Sequence, residues 1–81
     1  MSNSANTKLS EKLDKAIYCH NLGKFKEATR LYQELIDYEP GFPDPWNLLG
    51  VVAYQKKNYK LAKTLIKTAI KLNNKAPDFY N

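Results

Sequence analysis

Residues that build extracellular, membrane-spanning or catalytic chains are scarce here. Cys19 is the only cysteine, so no disulfide can form within the chain, and a reducing, cytoplasmic home is the expectation. His20 is the only histidine. One Cys and one His cannot supply the three or four convergent ligands of a zinc site, so no metal or cofactor is expected. The longest apolar run, Leu48-Leu49-Gly50-Val51-Val52-Ala53-Tyr54, is far short of the roughly 18 residues a membrane helix needs. Met1 to Lys8 has no apolar centre and does not read as a secretory signal. The three glycines lie far apart, too sparse for a phosphate-cradling loop. No alternating apolar–polar run exceeds four residues, which leaves no strand signal. At 81 residues the chain is one domain at most, without room for an interdomain cleft.

What is present is lysine, unevenly placed. Residues 1–42 carry six basic and six acidic side chains. Residues 43–81 carry seven lysines against Asp44 and Asp78, so the whole net charge of +5 sits in the second half. Lys56, Lys60, Lys63, Lys67 and Lys71 fall along one side of a helical pattern. They give either a solvated face or an electrostatic footprint for an acidic partner or nucleic acid. The stripe has no Arg and no interleaved aromatic, which disfavours nucleic acid.

The chain also repeats itself. Pro43-Asp44-Pro45-Trp46-Asn47 returns as Pro77-Asp78-Phe79-Tyr80-Asn81, 34 residues later. The same offset aligns residues 9–42 with 43–76. Lys26/Lys60, Ala28/Ala62, Leu31/Leu65 and Ile36/Ile70 are identical, and Ala16/Gly50, Ile17/Val51 and Phe25/Tyr59 keep size or hydrophobicity. Within each unit the period is helical: Leu13, Ala16, Ile17 and His20 fall at i, i+3, i+4 and i+7, and Phe25, Ala28, Leu31/Tyr32 and Leu35/Ile36 follow at steps of three to four. The second unit repeats this with Trp46, Leu49, Gly50 and Ala53, then Leu61, Leu65 and Ala69. Gly23 suits a left-handed helix end. Asp44 followed by Pro45 reads as a cap and a first helical residue. The expected helices are about 9–21, 24–38, 44–56 and 59–73, with a stub from 78 and a disordered tail over 1–8.

Candidate chemistry is thin. Cys19 and His20 are adjacent, so on a helix they point about 100° apart and cannot act as a nucleophile–base pair. Cys19 matches Ala53 in the second unit and reads as a small core residue. The acids pair within helices as Glu11–Lys15, Glu27–Arg30 and Arg30–Glu34.

A 34-residue unit of two helices, with Trp46, Leu49-Gly50, Tyr59, Ala62, Ile66 and Ala69 in the second copy and Ala16, Gly23, Phe25, Ala28, Tyr32, Leu35 and Pro40 in the first, resembles the tetratricopeptide repeat family. Departures are Lys12 and Lys15-Ala16 in the first copy, Lys57 where Gly is usual and Asn74 where Pro is usual. The resemblance implies an all-α fold, a right-handed array of antiparallel helical hairpins. Repeat 1 spans 9–42, repeat 2 spans 43–76, and residues 77–81 start a third. It implies a non-catalytic protein–protein interaction module. A peptide or protein segment would bind the concave face, at Leu13, Ile17, His20, Asn21, Asn47, Val51, Tyr54 and Gln55. The alternative is an N-terminal docking or regulatory segment of a larger enzyme, such as a bacterial glycosyltransferase of the O-linked N-acetylglucosamine type, since Ala76 to Asn81 is phrased like repeats of such chains. Leu13, Ile17 and Leu48 replace the Lys and Asn of the family's chaperone-tail clamp, and Leu48 replaces the Asn ladder of the glycosyltransferases. Two repeats leave an apolar side, so self-association as a homo-oligomer is expected through Leu61, Leu65, Ile70, Leu72, Phe79 and Tyr80.

Overall fold

The structure, a computed structural model, describes residues 4–74, and the side chains of 8–73. The expected stub at 77–81, with Phe79 and Tyr80, lies outside the described residues. Four α-helices follow one another: α1 (Ser4–Asn21), α2 (Phe25–Tyr38), α3 (Pro43–Gln55) and α4 (Tyr59–Asn74). α1 packs on α2, α3 on α4, and α2 joins the two hairpins by packing on α3.

Both hairpin turns are made the same way. In the first, the Lys24 N–H donates to the Cys19 carbonyl at 2.9 Å and the Gly23 N–H to the His20 carbonyl at 3.0 Å. In the second, the Asn58 N–H donates to Ala53 at 2.8 Å and the Lys57 N–H to Tyr54 at 2.9 Å. This pair of bonds closes a helix on a left-handed residue, which is Gly23 at φ +78° in one turn and Lys57 at φ +67° in the other. A Cβ in that region strains the backbone by roughly 1–2 kcal/mol. Lys57→Gly should therefore raise stability by about 0.5–1 kcal/mol, the relief of strain offset by the flexibility glycine adds to the unfolded chain. A higher urea midpoint at unchanged slope would show it, and an unchanged or lower midpoint would refute it.

Three helix starts differ from those expected of the sequence, that of α2 only by one residue, since Lys24 is its cap residue and Phe25 its first. α1 begins at Ser4, so residues 4–8 are helical and not part of a disordered tail. No Gly or Pro interrupts residues 4–9, and Leu9 is half-buried beside Leu35 and Tyr38 of α2, which anchors the first turns. α3 begins at Pro43 with Phe42 as its cap residue, and no side chain caps it. Asp44 is therefore not the cap. The proline forces extended backbone on Phe42 (φ −84°, ψ 110°) and itself supplies the first helical residue. Asp44 places its carboxylate in the first turn, at the positive end of the helix dipole.

The core is a single cluster running through both hairpins. Ala16, Ala28 and Tyr32 are fully buried, and Leu31, Ile36, Leu49, Val52, Ala62 and Leu65 nearly so. Cys19 belongs to it as a buried free thiol. Small residues sit where helices cross. Gly50 is buried against α4 so closely that a Cβ there would lie 3.3 Å from the Ala62 carbonyl oxygen. Trp46 closes the turn between hairpins, its indole N–H donating to the Pro40 carbonyl at 2.9 Å.

Candidate functional site

The residues expected on the concave face come from α1 and α3, and the structure divides them into an open end and a closed end. Leu13 and Ile17 of α1 are half-buried and rest on the core. Leu13 reaches the surface in a depression of about 560 Å³ between the first half of α1 and the start of α3. Leu9, Phe42 and Pro43 supply the rest of its apolar lining, and Ser10, Glu39 and Asp44 its polar edge. On the other side of the same α3 turn, Asn47 is exposed in a depression of about 260 Å³ that lies between α3 and α4, shared with Pro43, Asp44, Ala69, Ile70 and Asn73. Leu9, Phe42 and Asp44 are not among the groove residues expected of the sequence. Leu9 carries a usable signal, one turn before Leu13 on the same apolar face.

At the other end, His20 and Gln55 are spent on each other. Nε2 of His20 lies 2.7 Å from Oε1 of Gln55, a residue of the other repeat. The carboxamide oxygen can only accept, so Nε2 carries the hydrogen. In the neutral ring Nδ1 then accepts from the Tyr32 hydroxyl at 3.1 Å. The ring also meets the edges of Phe25 and Tyr32 at centroid distances of 5.8 and 6.0 Å. One imidazole thus ties α1 to α2 and to the end of α3. Both of its nitrogens have protein partners, while the ring stays half-buried on the face expected to line the groove. Burial, and then the neighbouring Cys19 thiol, push the Tyr32 hydroxyl up to about 12, so it keeps its proton for this bond. Tyr54, which occupies the His20 position in the second repeat, leans on Tyr59 (5.2 Å, edge to face) but keeps 61% of its surface exposed. Asn21 is exposed and Val51 half-buried.

Charge is settled differently in the two repeats. Arg30 bonds both Glu27 and Glu34, and Lys12 of α1 reaches Glu34 of α2 at 2.8 Å. The bond from Lys12, then the nearby cations, hold the Glu34 carboxyl below its ordinary range. The expected Glu11–Lys15 pair is not among these ion pairs. Lys12 is used across helices instead, since Glu34 stands opposite it on α2.

The apolar residues expected to make a self-association surface are dispersed among the described residues. Leu65 is buried in the chain's own core and Leu72 is half-buried. Leu61 and Ile70 are exposed, at 45% and 55%. They are nine residues apart, so they face about 180° away from each other on α4, with the lysines between them. Ile36, which matches Ile70 in the first repeat, is covered because α3 packs on α2.

Among the described residues no group of three or more His, Cys, Asp or Glu side chains could hold a metal ion. No described helix is long and apolar enough to cross a membrane. The family model described as tetratricopeptide repeat matches residues 22–81. No curated protein and no solved structure matches the chain. With two copies of a 34-residue hairpin, the same turn closing each, and small residues at each crossing, the chain belongs to the tetratricopeptide repeat family.

Proposed function

We propose that this chain is a non-catalytic module that binds a peptide or protein segment on the face made by α1 and α3. Repeats of this family are generally protein-interaction modules. The observation that carries the reading is the depression between α1 and the start of α3, which sets apolar side chains (Leu9, Leu13, Phe42) beside polar ones (Ser10, Glu39, Asp44). Asn47 is exposed close by on α3, at the depression that α3 shares with α4. That mixture suits a peptide, whose backbone needs partners and whose side chains need pockets. The helices hold this face with little freedom, because the His20–Gln55 bond and the core fix α1 relative to α3. A rigid face loses less conformational entropy on binding.

A peptide selected from a random display library against the folded chain provides the probe. The double substitution Asn47→Ala and Tyr54→Ala should weaken its binding at least about tenfold, the loss of a hydrogen bond and an exposed aromatic anchor. Helicity by circular dichroism should be kept, since both side chains are exposed. Unchanged affinity would exclude this face as the binding site.

A further inference from the structure

We propose that the outward face of α4 is a second docking surface, separate from the α1–α3 face, and that its occupant is an acidic polypeptide segment. Lys60, Lys63, Lys67 and Lys71 are all exposed. At about 100° per residue they lie in a stripe about 80° wide, on the side of α4 opposite the buried Ala62, Leu65 and Ala69. At about 1.5 Å per residue the stripe is roughly 16 Å long.

Nothing in the chain's described part neutralises it. α4 contains no acidic residue, and the ion pairs all lie in α1 and α2. Residues 1–42 balance six basic side chains with six acidic ones and pair Lys12 and Arg30 with Glu27 and Glu34. The second hairpin, over the described residues 43–74, holds six lysines against Asp44. A face that serves only solubility is ordinarily mixed in sign. Here Lys63, Lys67 and Lys71 follow at i, i+4, a spacing at which like charges destabilise a helix. A carboxylate at any one of them would remove that penalty and keep the surface polar. The arrangement works against the free helix, and it becomes favourable when an opposite charge row is laid along it.

The surroundings narrow the occupant. Thr64 and Thr68 donate their hydroxyl hydrogens back to the Lys60 and Thr64 carbonyls, so they form a smooth edge without free donors. Ile70 borders a shallow hollow with Lys67 and Lys71, a seat for an apolar side chain beside the last two charges. A bilayer would need a continuous apolar face beside the cations; Ala62, Leu65 and Ala69 are buried in the core, and the exposed Leu61 and Ile70 stand singly on opposite flanks of the stripe. A nucleic acid would call for planar guanidinium or stacking aromatic groups, and the stripe has neither. An acidic helix or strand with carboxylates at matching rise meets every feature of the face.

The test uses the full chain and a labelled synthetic helical peptide with four glutamates on one face, spaced to match the lysines. A control peptide of the same composition has its glutamates spread around the helix. At about 0.15 M salt, where unaligned surface charges are largely screened, the matched peptide should bind at least about tenfold more tightly than the control. Changing the four lysines together to Gln should abolish that preference. The fold should persist, because removing like charges at i, i+4 relieves α4. Tyr54→Ala alone, which leaves the depression shared by Asn47 and Ile70 intact, should leave this binding unchanged, which separates it from the α1–α3 face. Equal affinity for the two peptides would overturn the proposal, as would binding that ignores the four lysines. Tighter binding to duplex DNA or to phosphatidylserine vesicles than to the matched peptide would overturn it as well.

Discussion

Tyr32→Ala should cost about 3–5 kcal/mol and lower the urea midpoint sharply. Tyr32 is fully buried and is among the largest fully buried side chains. It sits on α2, the helix that packs on both α1 and α3. Its removal therefore opens a cavity in the core cluster, where the surrounding helices can collapse only partially. At about 0.05–0.15 kcal/mol per residue a domain of this length holds roughly 4–12 kcal/mol of stability, so the loss is most of the total at the lower end. The hydroxyl is a smaller part of the effect. Tyr32→Phe keeps the ring and deprives Nδ1 of His20 of its partner, for a cost of about 1 kcal/mol. Urea unfolding followed by circular dichroism distinguishes the two variants. If Ala and Phe cost the same, the ring is not what fills this part of the core.

The second large effect is expected at Gly50. A Cβ there would stand 2.6 Å from Cγ1 of Ile66 and 3.3 Å from the Ala62 carbonyl oxygen. The first distance demands movement of the branch of Ile66 near its backbone, not of a flexible tip, and the second presses on the α4 backbone itself. Gly50→Ala sets about 1 kcal/mol of gained helix propensity against this crowding, and the crowding should win by about 1 kcal/mol. Gly50→Leu, with more atoms and no space for them, should cost about 3 kcal/mol. Because the obstruction is one identifiable side chain, Gly50→Ala combined with Ile66→Ala should cost less than the two separately, by at least about 0.5 kcal/mol. Strict additivity in the denaturant midpoints would mean that α3 and α4 can separate here at little cost.

Both positions are legible in the amino-acid sequence, to different degrees. The 34-residue offset aligns Gly50 with Ala16 and Ala62 with Ala28, and small residues at matched helical positions identify a close crossing whatever the rest of the fold does. The period likewise marks Tyr32, Leu31 and Cys19 as interior, and Gly23 as a helix end. Such features follow from a single helix or hairpin: an apolar face must be covered, and a left-handed residue must lack strain or tolerate it. The sequence therefore determined the two hairpins, their core faces and the family.

Only the tertiary structure decided what lies between the hairpins. The His20–Gln55 bond spans 35 residues, and it depends on the angle at which α1 and α3 approach, which no periodicity records. Lys12 pairs with Glu34 because α1 brings them together, although Glu11 and Lys15 have the better local spacing. Periodicity marks Leu61, Leu65 and Ile70 alike as apolar. Packing buried Leu65 and left the other two on opposite flanks of α4, because a helix packed on one side has one covered face and two edges. Lys57 shows both levels at once. Its place at the glycine position is visible in the repeat, but its left-handed backbone is set by the two hydrogen bonds that close the turn. A helix end is held by whichever residue the next helix requires there, even when that residue has a side chain that resists it.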